Sequence, residues 1–362
     1  MSKEKNKILI AASGTGGHIF PALSIAYDIE NSWDLFWLGV NSRSENHLVP
    51  DKYDLLTLNI ITPNKKRFFL FIQYLKILFS AFHVMKIIRE KKINLVFTTG
   101  GYISAPTIIA AKFLNVPVLL HESNSVPGTV TKYFGRFCNF VLTGFKETAL
   151  KLPNCKIAFT GTPLRKQFYE SHKLPKWVPS GNGPLIIVMG GSQGANAIND
   201  IFHRSINHLL QKNVRIIHIL GPDKKVSLDI DSMNYLKINF TNEIAALLQH
   251  SDLVISRSGS GTINELIHTQ KPSILIPYPK SKHDHQEKNA LLLASKGGSI
   301  LINQDKNTSA YLYRTLNRIF KFHSNQKDYP LLNLMKKNMK QFKSKNPQEE
   351  IIKIINYFKN EL

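Results

Sequence analysis

The chain has 362 residues, more than the roughly 300 that one hydrophobic core usually organises, so two domains are expected. An apolar fraction of 43% excludes a mainly disordered chain, and two cysteines, Cys138 and Cys155, exclude a disulfide framework and fit a reducing compartment. The net charge of +22 fits a partner that is polyanionic (nucleic acid, anionic lipid head groups or phosphorylated substrates) or a generally lysine-rich surface, and does not choose among them.

Met1–Lys7 is polar and basic and runs directly into an apolar strand, so no cleavable signal sequence is expected. Lys7–Ala12 reads as a buried strand, Ser13–Gly17 as a glycine-rich turn and His18–Asn31 as a helix, with Pro21 tolerated in its first turn. Strands are expected at Leu35–Leu38, Asn94–Thr98, Val118–His121, Phe140–Thr143 and Ile157–Thr160. Between the first two lies Lys65–Lys92, a helix whose basic ends flank an apolar, aromatic middle. Gln73, Lys76 and His83 interrupt that middle, which argues against a membrane span. An interfacial element on an anionic leaflet and a core-facing helix with basic caps both fit it.

Arg165–Gly183, with Pro175, Pro179, Gly181 and Gly183, has the composition of a linker. The pattern then restarts. Leu185–Met189 is a strand, Gly190–Gly194 a turn and Ala195–Gln211 a helix. Strands follow at Arg215–Leu220, Leu236–Phe240, Leu253–Ser256, Ser273–Ile276 and Ser299–Ile302. The expected organisation is therefore a domain at 1–164, a linker at 165–183 and a second domain at 184–346. An amphipathic helix at 347–362 follows, with the first domain as one place for it to pack. Strands alternating with helices predict an α/β fold: two doubly wound, Rossmann-like domains whose strand C-terminal ends face a shared cleft.

Six segments carry candidate chemistry. In Gly14-Thr15-Gly16-Gly17-His18, glycines let backbone N–H groups approach an anion at a helix start. The spacing is neither a Walker loop nor the dinucleotide fingerprint. His18 sits where the helix dipole favours a neutral imidazole able to accept a proton; a local cap is the plainer role. Gly190–Gly194, with Ser192, repeats the arrangement in the second half. In Ser256–Glu265, small residues leave room for a diphosphate, and Glu265 suits either ribose hydroxyls or the helix dipole. In His283–Ala290, the two histidines at i, i+2 do not share a helix face, which argues against a metal, while Gln286 and Asn289 at i, i+3 are placed to present amides together. His121–Asn124 ends a strand, and Gly161–Arg165 closes the first domain with an arginine suited either to a phosphate or merely to snorkelling. Asp229-Ile230-Asp231 reads as a solvated turn rather than a metal pair.

Taken together, Gly-Thr-Gly-Gly-His, His121-Glu-Ser-Asn-Ser-Val-Pro-Gly128, Gly-Gly-Ser-Gln-Gly-Ala and the Arg257-Ser-Gly…Glu265 stretch resemble the MurG family of UDP-N-acetylglucosamine transferases, of GT-B architecture. The resemblance runs from Lys7 to about Ile302. It implies inverting transfer of N-acetylglucosamine from the UDP donor to the 4-hydroxyl of the muramoyl sugar in lipid I, giving lipid II in peptidoglycan synthesis. It implies action on the cytoplasmic face of the inner membrane, where the interfacial reading of Lys65–Lys92 would hold the chain peripherally on the anionic surface. No tightly bound metal and no nucleic acid are expected; other cell-wall synthesis proteins are candidate partners. By motif, Thr15, Gly16 and Gly17 would contact the donor, Asn124 the transferred sugar, Arg165 the diphosphate and Ser192 a phosphate. Thr241 would lie near the uracil, Glu265 on the ribose and Gln286 on the sugar hydroxyls, with His18 favoured to activate the acceptor and a proton relay or a contact to the acceptor phosphate equally open to it. The family's Glu-Gln-Asn is here Glu122-Ser123-Asn124, its Gly-Asn-Pro is Gly161-Thr162-Pro163, and its paired glutamines are His285-Gln286. Ser260 and Gly261 also depart from the pattern. A diacylglycerol glucosyltransferase, a UDP-sugar epimerase and a basic nucleic-acid-binding protein are the competing readings.

Overall fold

A computed structural model describes residues 5–14, 16–40, 48–58, 70–191, 194–221, 230–322, 328–342 and 345–361, with 70–75 and 361 as backbone only. Two compact units emerge: Met1–Arg165 with Ser344–Leu362, and Lys166–Lys343.

The first unit alternates strands and helices in the order β1 (Lys7–Ala11), α1 (Gly16–Ile29), β2 (Asp34–Val40), β3 (Asp54–Leu58), α2 (Leu70–Glu90), β4 (Leu95–Thr98), α3 (Ser104–Phe113), β5 (Val118–Glu122), α4 (Thr129–Phe134), β6 (Phe140–Thr143), α5 (Lys146–Ala149) and β7 (Ile157–Phe159). The strands form one parallel sheet, ordered β3-β2-β1-β4-β5-β6-β7. All five residues of β5 and all four of β4 are buried, as expected of central strands covered on both faces. One face packs Leu9, Val96 and Leu120 against α2 and α3, and the other packs Ile8, Ile10 and Phe97 against α1. The edge strand β3 was not expected. Its burial is partial, and its sequence, DLLTL, has no clean period.

The second unit contains β8 (Leu185–Met189), α6 (Asn196–His203), α7 (Ile206–Gln211), β9 (Arg215–Ile219), β10 (Tyr235–Ile238), α8 (Ile244–His250), β11 (Leu253–Ser256), α9 (Ser260–Thr269), β12 (Ser273–Leu275), α10 (His285–Ser295), β13 (Ser299–Leu301), α11 (Thr308–Phe320) and α12 (Pro330–Met339). Its parallel sheet is ordered β10-β9-β8-β11-β12-β13. The helix expected over Ala195–Gln211 is two helices, broken at Arg204-Ser205, and the break keeps Phe202, Ile206 and Leu209 all in the core. The strand expected to reach Phe240 stops at Ile238, and Phe240 is exposed.

The proline-rich stretch after Arg165 is tied to this second unit. Phe168 is buried, His268 Nε2 donates to the Phe168 carbonyl at 2.9 Å, and Trp177 Nε1 donates to Glu243 at 2.6 Å. Arg215 closes the stretch by donating to the Gly183 and Pro179 carbonyls. The final helix, α13 (Pro347–Glu361), returns to the first unit. There Ile351, Ile355 and Phe358 join the core built on Trp33 and Trp37.

Candidate active site

In an open parallel sheet, ligands bind beyond the strand C-termini where the strand order reverses. In the first unit that point lies between β1 and β4, and the turn after β1 carries the Gly-Thr-Gly-Gly-His motif. Gly14 has φ +103°, a conformation suited to glycine. Gly16 and Gly17 open α1, and Thr15 lies outside the described residues. His18 reaches across the reversal point, with its Nδ1 2.6 Å from the Thr99 carbonyl just after β4. A carbonyl only accepts, so a proton sits on Nδ1, and the tautomer this contact selects has its lone pair on Nε2. Gly100 and Gly101 follow with φ +89° and +80°, and a Cβ at Gly100 would lie 3.5 Å from the His18 ring.

At the end of β5, His121 is fully buried. Its Nε2 donates to the Gly161 carbonyl at 3.0 Å, which leaves Nδ1 to accept from the Ser123 hydroxyl at 3.2 Å. Burial lowers its pKa, against the Gly161 carbonyl and the Glu122 carboxylate, which raise it. The Glu122 carboxylate is almost wholly buried and fastens the next loop. One oxygen accepts from the Asn124 N–H and side-chain amide, at 3.1 and 3.0 Å; the other accepts from the Gly128 N–H and Thr131 hydroxyl, at 2.8 and 2.7 Å. Asn124 is thereby set at the sheet's C-terminal edge. Arg165, the last residue of the unit's first segment, places its guanidinium carbon 4.9 Å from the centroid of the Phe20 ring.

In the second unit the order reverses between β8 and β11. The turn after β8 has Gly191 at φ +86° and Gly194 at φ +67°; Ser192 lies outside the described residues. After β11, Arg257 is buried and donates to the Ile276 and Pro277 carbonyls, at 2.9 Å each, with its guanidinium 5.6 Å from the Tyr278 ring centroid. Burial lowers its pKa. Ser258 donates to the Gln286 carbonyl at 2.7 Å, and the Gln286 side-chain oxygen accepts the Tyr278 N–H at 2.9 Å. The structure therefore brings the Arg257–Ser258 loop and Gln286 together. Glu265 is half-buried in the second turn of α9, and a Cβ at Gly259 or Gly261 would meet open space. Thr241, at the far end of the sheet beyond β10, accepts the Glu243 N–H at 3.0 Å before α8.

One expectation is corrected. Asn289 does not present its amide beside Gln286; it is fully buried and donates to the Ser258 carbonyl at 3.3 Å. Residues three apart on α10 share a side of the helix, but Asn289 falls where that side meets the core. His283 and Asp284 are exposed at φ +55° and +54°, and no group of three or more metal-ligating side chains occurs among the described residues. Asp231 is exposed, while Asp229 lies outside the described residues.

Residues 8–143 match the glycosyltransferase family 28 N-terminal domain, and residues 185–353 its C-terminal domain. The UDP-N-acetylglucosamine–N-acetylmuramyl-(pentapeptide) pyrophosphoryl-undecaprenol N-acetylglucosamine transferase of Prochlorococcus marinus (strain MIT 9515) is 60% identical, over 100% of both chains. The crystal structure of Acinetobacter baumannii MurG aligns with a TM-score of 0.76 at 25% identity, covering 98% of this chain and 100% of that one. The chain belongs to the MurG family. A putative UDP-N-acetylglucosamine 2-epimerase from Listeria monocytogenes, 10% identical with a TM-score of 0.67 over 99% of this chain and 98% of its own, shares the fold alone.

Sequence reasoning passed over the Thr98–Tyr102 loop that holds this MurG-family chain's His18. Its signal was available: two glycines, one residue past the apolar strand Leu95–Thr98. The anchoring done by Glu122 had no such signal, because its partners are known only once the loop is folded.

Proposed function

We propose that this chain transfers N-acetylglucosamine from UDP-N-acetylglucosamine to the 4-hydroxyl of the muramoyl sugar in undecaprenyl-pyrophosphoryl-N-acetylmuramoyl-pentapeptide, giving lipid II and UDP. Full-length identity of 60% to a relative named for this transferase carries the reading. The site supports a chemical route. His18 Nε2, free to accept while Nδ1 donates to Thr99, takes the proton of the acceptor hydroxyl. The hydroxyl oxygen bonds to the sugar's anomeric carbon from the side opposite UDP, the bond to UDP breaks, and configuration inverts. Charge collecting on the departing diphosphate is met by preorganised backbone N–H groups of the glycine turns and by Arg165, without need of a metal. Glu265 takes the ribose, Thr241 lies by the uracil, Gln286 and Asn124 hold the transferred sugar, and Ser192 binds a phosphate.

We further propose that the chain works as a peripheral protein on the cytoplasmic face of the membrane. No described helix is long and apolar enough to cross a bilayer. Helix α2 exposes Leu78, Phe79 and Phe82, and the adjoining α3 exposes Phe113, while Lys76, Lys86, Arg89 and Lys112 are exposed on the same two helices. Aromatic surface among basic side chains suits the interface of an anionic leaflet, where a polyprenyl-linked acceptor resides.

The test is transfer of radiolabel from UDP-N-acetylglucosamine to a lipid I analogue, with diacylglycerol as a parallel acceptor. Label on lipid I alone, lost in His18→Ala while UDP still binds, is expected. Label on diacylglycerol, or none on lipid I, would overturn the acceptor assignment.

A further inference from the structure

Phe20 connects two parts of the site that the sequence presents as separate. It lies one turn beyond Gly16 on α1, and a Cβ built on Gly16 would fall 2.7 Å from Phe20 Cε2 and 3.0 Å from Cδ2. Gly14 needs glycine for its positive φ, whereas Gly16 does not have one. What glycine supplies at position 16 is space for an aromatic ring. The same ring carries the Arg165 guanidinium at 4.9 Å from its centroid.

The backbone next to Arg165 is already fixed. The Leu164 carbonyl accepts from the Ser24 hydroxyl at 2.5 Å and from Gln348 Nε2 at 3.4 Å. Ser24 is four residues after Phe20, so the two are neighbours along one side of α1. Ser24 thus anchors the main chain before Arg165, and the Phe20 ring lies against its guanidinium.

Resting on the reading that Arg165 meets the donor diphosphate, we infer that Phe20 is a positioning residue: its ring, seated over Gly16, holds the Arg165 guanidinium beside the glycine turn so that one diphosphate is met by both. The ring touches neither bond being made nor bond being broken. Its effect is confined to donor binding and is exerted through Arg165.

The experiment compares wild type, Phe20→Tyr, Phe20→Leu, Arg165→Met and the Phe20→Leu/Arg165→Met double variant. KM and kcat for UDP-N-acetylglucosamine are measured with saturating acceptor, and Kd is measured for UDP and for uridine by ligand-observed NMR. Phe20→Leu is expected to raise the donor KM and the UDP Kd about five-fold, the scale of one partly desolvated cation–π contact. Uridine, which lacks the diphosphate, should bind unchanged, and Phe20→Tyr should behave as wild type. In the Arg165→Met background, Phe20→Leu should cost nothing more. Equal weakening of uridine, or losses that simply add, would overturn the inference. If Arg165→Met weakens UDP and Phe20→Leu does not, the inference alone fails. If Arg165→Met leaves UDP binding intact, the diphosphate reading of Arg165 falls and takes the inference with it.

Discussion

His218 makes acid stability of the second unit a measurable quantity. The ring is fully buried on β9, edge-on to Phe202 at 5.5 Å between centroids. Asn199 spends its amide N–H₂ on the Leu220 carbonyl, so its oxygen faces His218 and accepts the Nε2 proton at 3.0 Å. Nδ1 then accepts from the Tyr235 hydroxyl at 3.0 Å, and the ring is held neutral. Burial lowers its pKa from 6.5 to about 4. In the unfolded chain the ring protonates as pH falls through 6.5, whereas in the folded unit it does so only near 4. Between those values the unfolded state binds more protons, so stability present above 6.5 drains away as pH falls toward 4. At about 1.4 kcal/mol per pH unit, the total is ~3 kcal/mol. Urea titrations at pH 7, 5.5 and 4.5, read by hydrogen exchange in β8 and β9 peptides, should show this loss in wild type. His218→Gln cannot titrate; its acid limb should be flatter by about 2–3 kcal/mol between pH 7 and 4.5. Parallel acid limbs in the two proteins would refute the reasoning.

Two further expectations concern the first unit. Glu122→Gln replaces an acceptor oxygen with N–H₂ that confronts two buried donors; about 2–4 kcal/mol of stability should be lost, seen as a lower thermal midpoint, together with a fall in kcat as the Asn124 loop loosens. An unchanged midpoint would show that the four bonds are dispensable. Phe79→Ser with Phe82→Ser removes two exposed aromatic rings and should weaken sedimentation with anionic vesicles by about ten-fold or more, leaving UDP binding alone. Equal vesicle binding would move the membrane contact elsewhere.

The strand–glycine turn–helix unit was legible twice in the sequence because it is local: an apolar run, a turn with special φ, then a helix start. The buried ends of β1 and β8 follow directly from KILIA and LIIVM. What escaped was set by contacts distant in sequence. His18 and Thr99 are 81 residues apart, and nothing near either announces the other. Helical spacing correctly aligned Gln286 with Asn289 but could not tell which end of that side meets the core. Helices α11 and α12 went unassigned although α11 buries Leu312, Leu316 and Ile319 at regular spacing; in α12, lysines and asparagine intervene between the buried Leu332, Met335 and Met339.

The return of α13 to the first unit has a consequence for synthesis on the ribosome. Lys166–Lys343 is one continuous stretch and contains its whole core, so it can fold once it has emerged. The first unit has Trp33 and Trp37 packed with Ile351, Ile355 and Phe358, which are made more than three hundred residues later. The part of this core that α13 covers, beside α1, therefore stays open until that helix is released. The usual order in which domains mature during translation is reversed, and the waiting surface is where a chaperone would be needed.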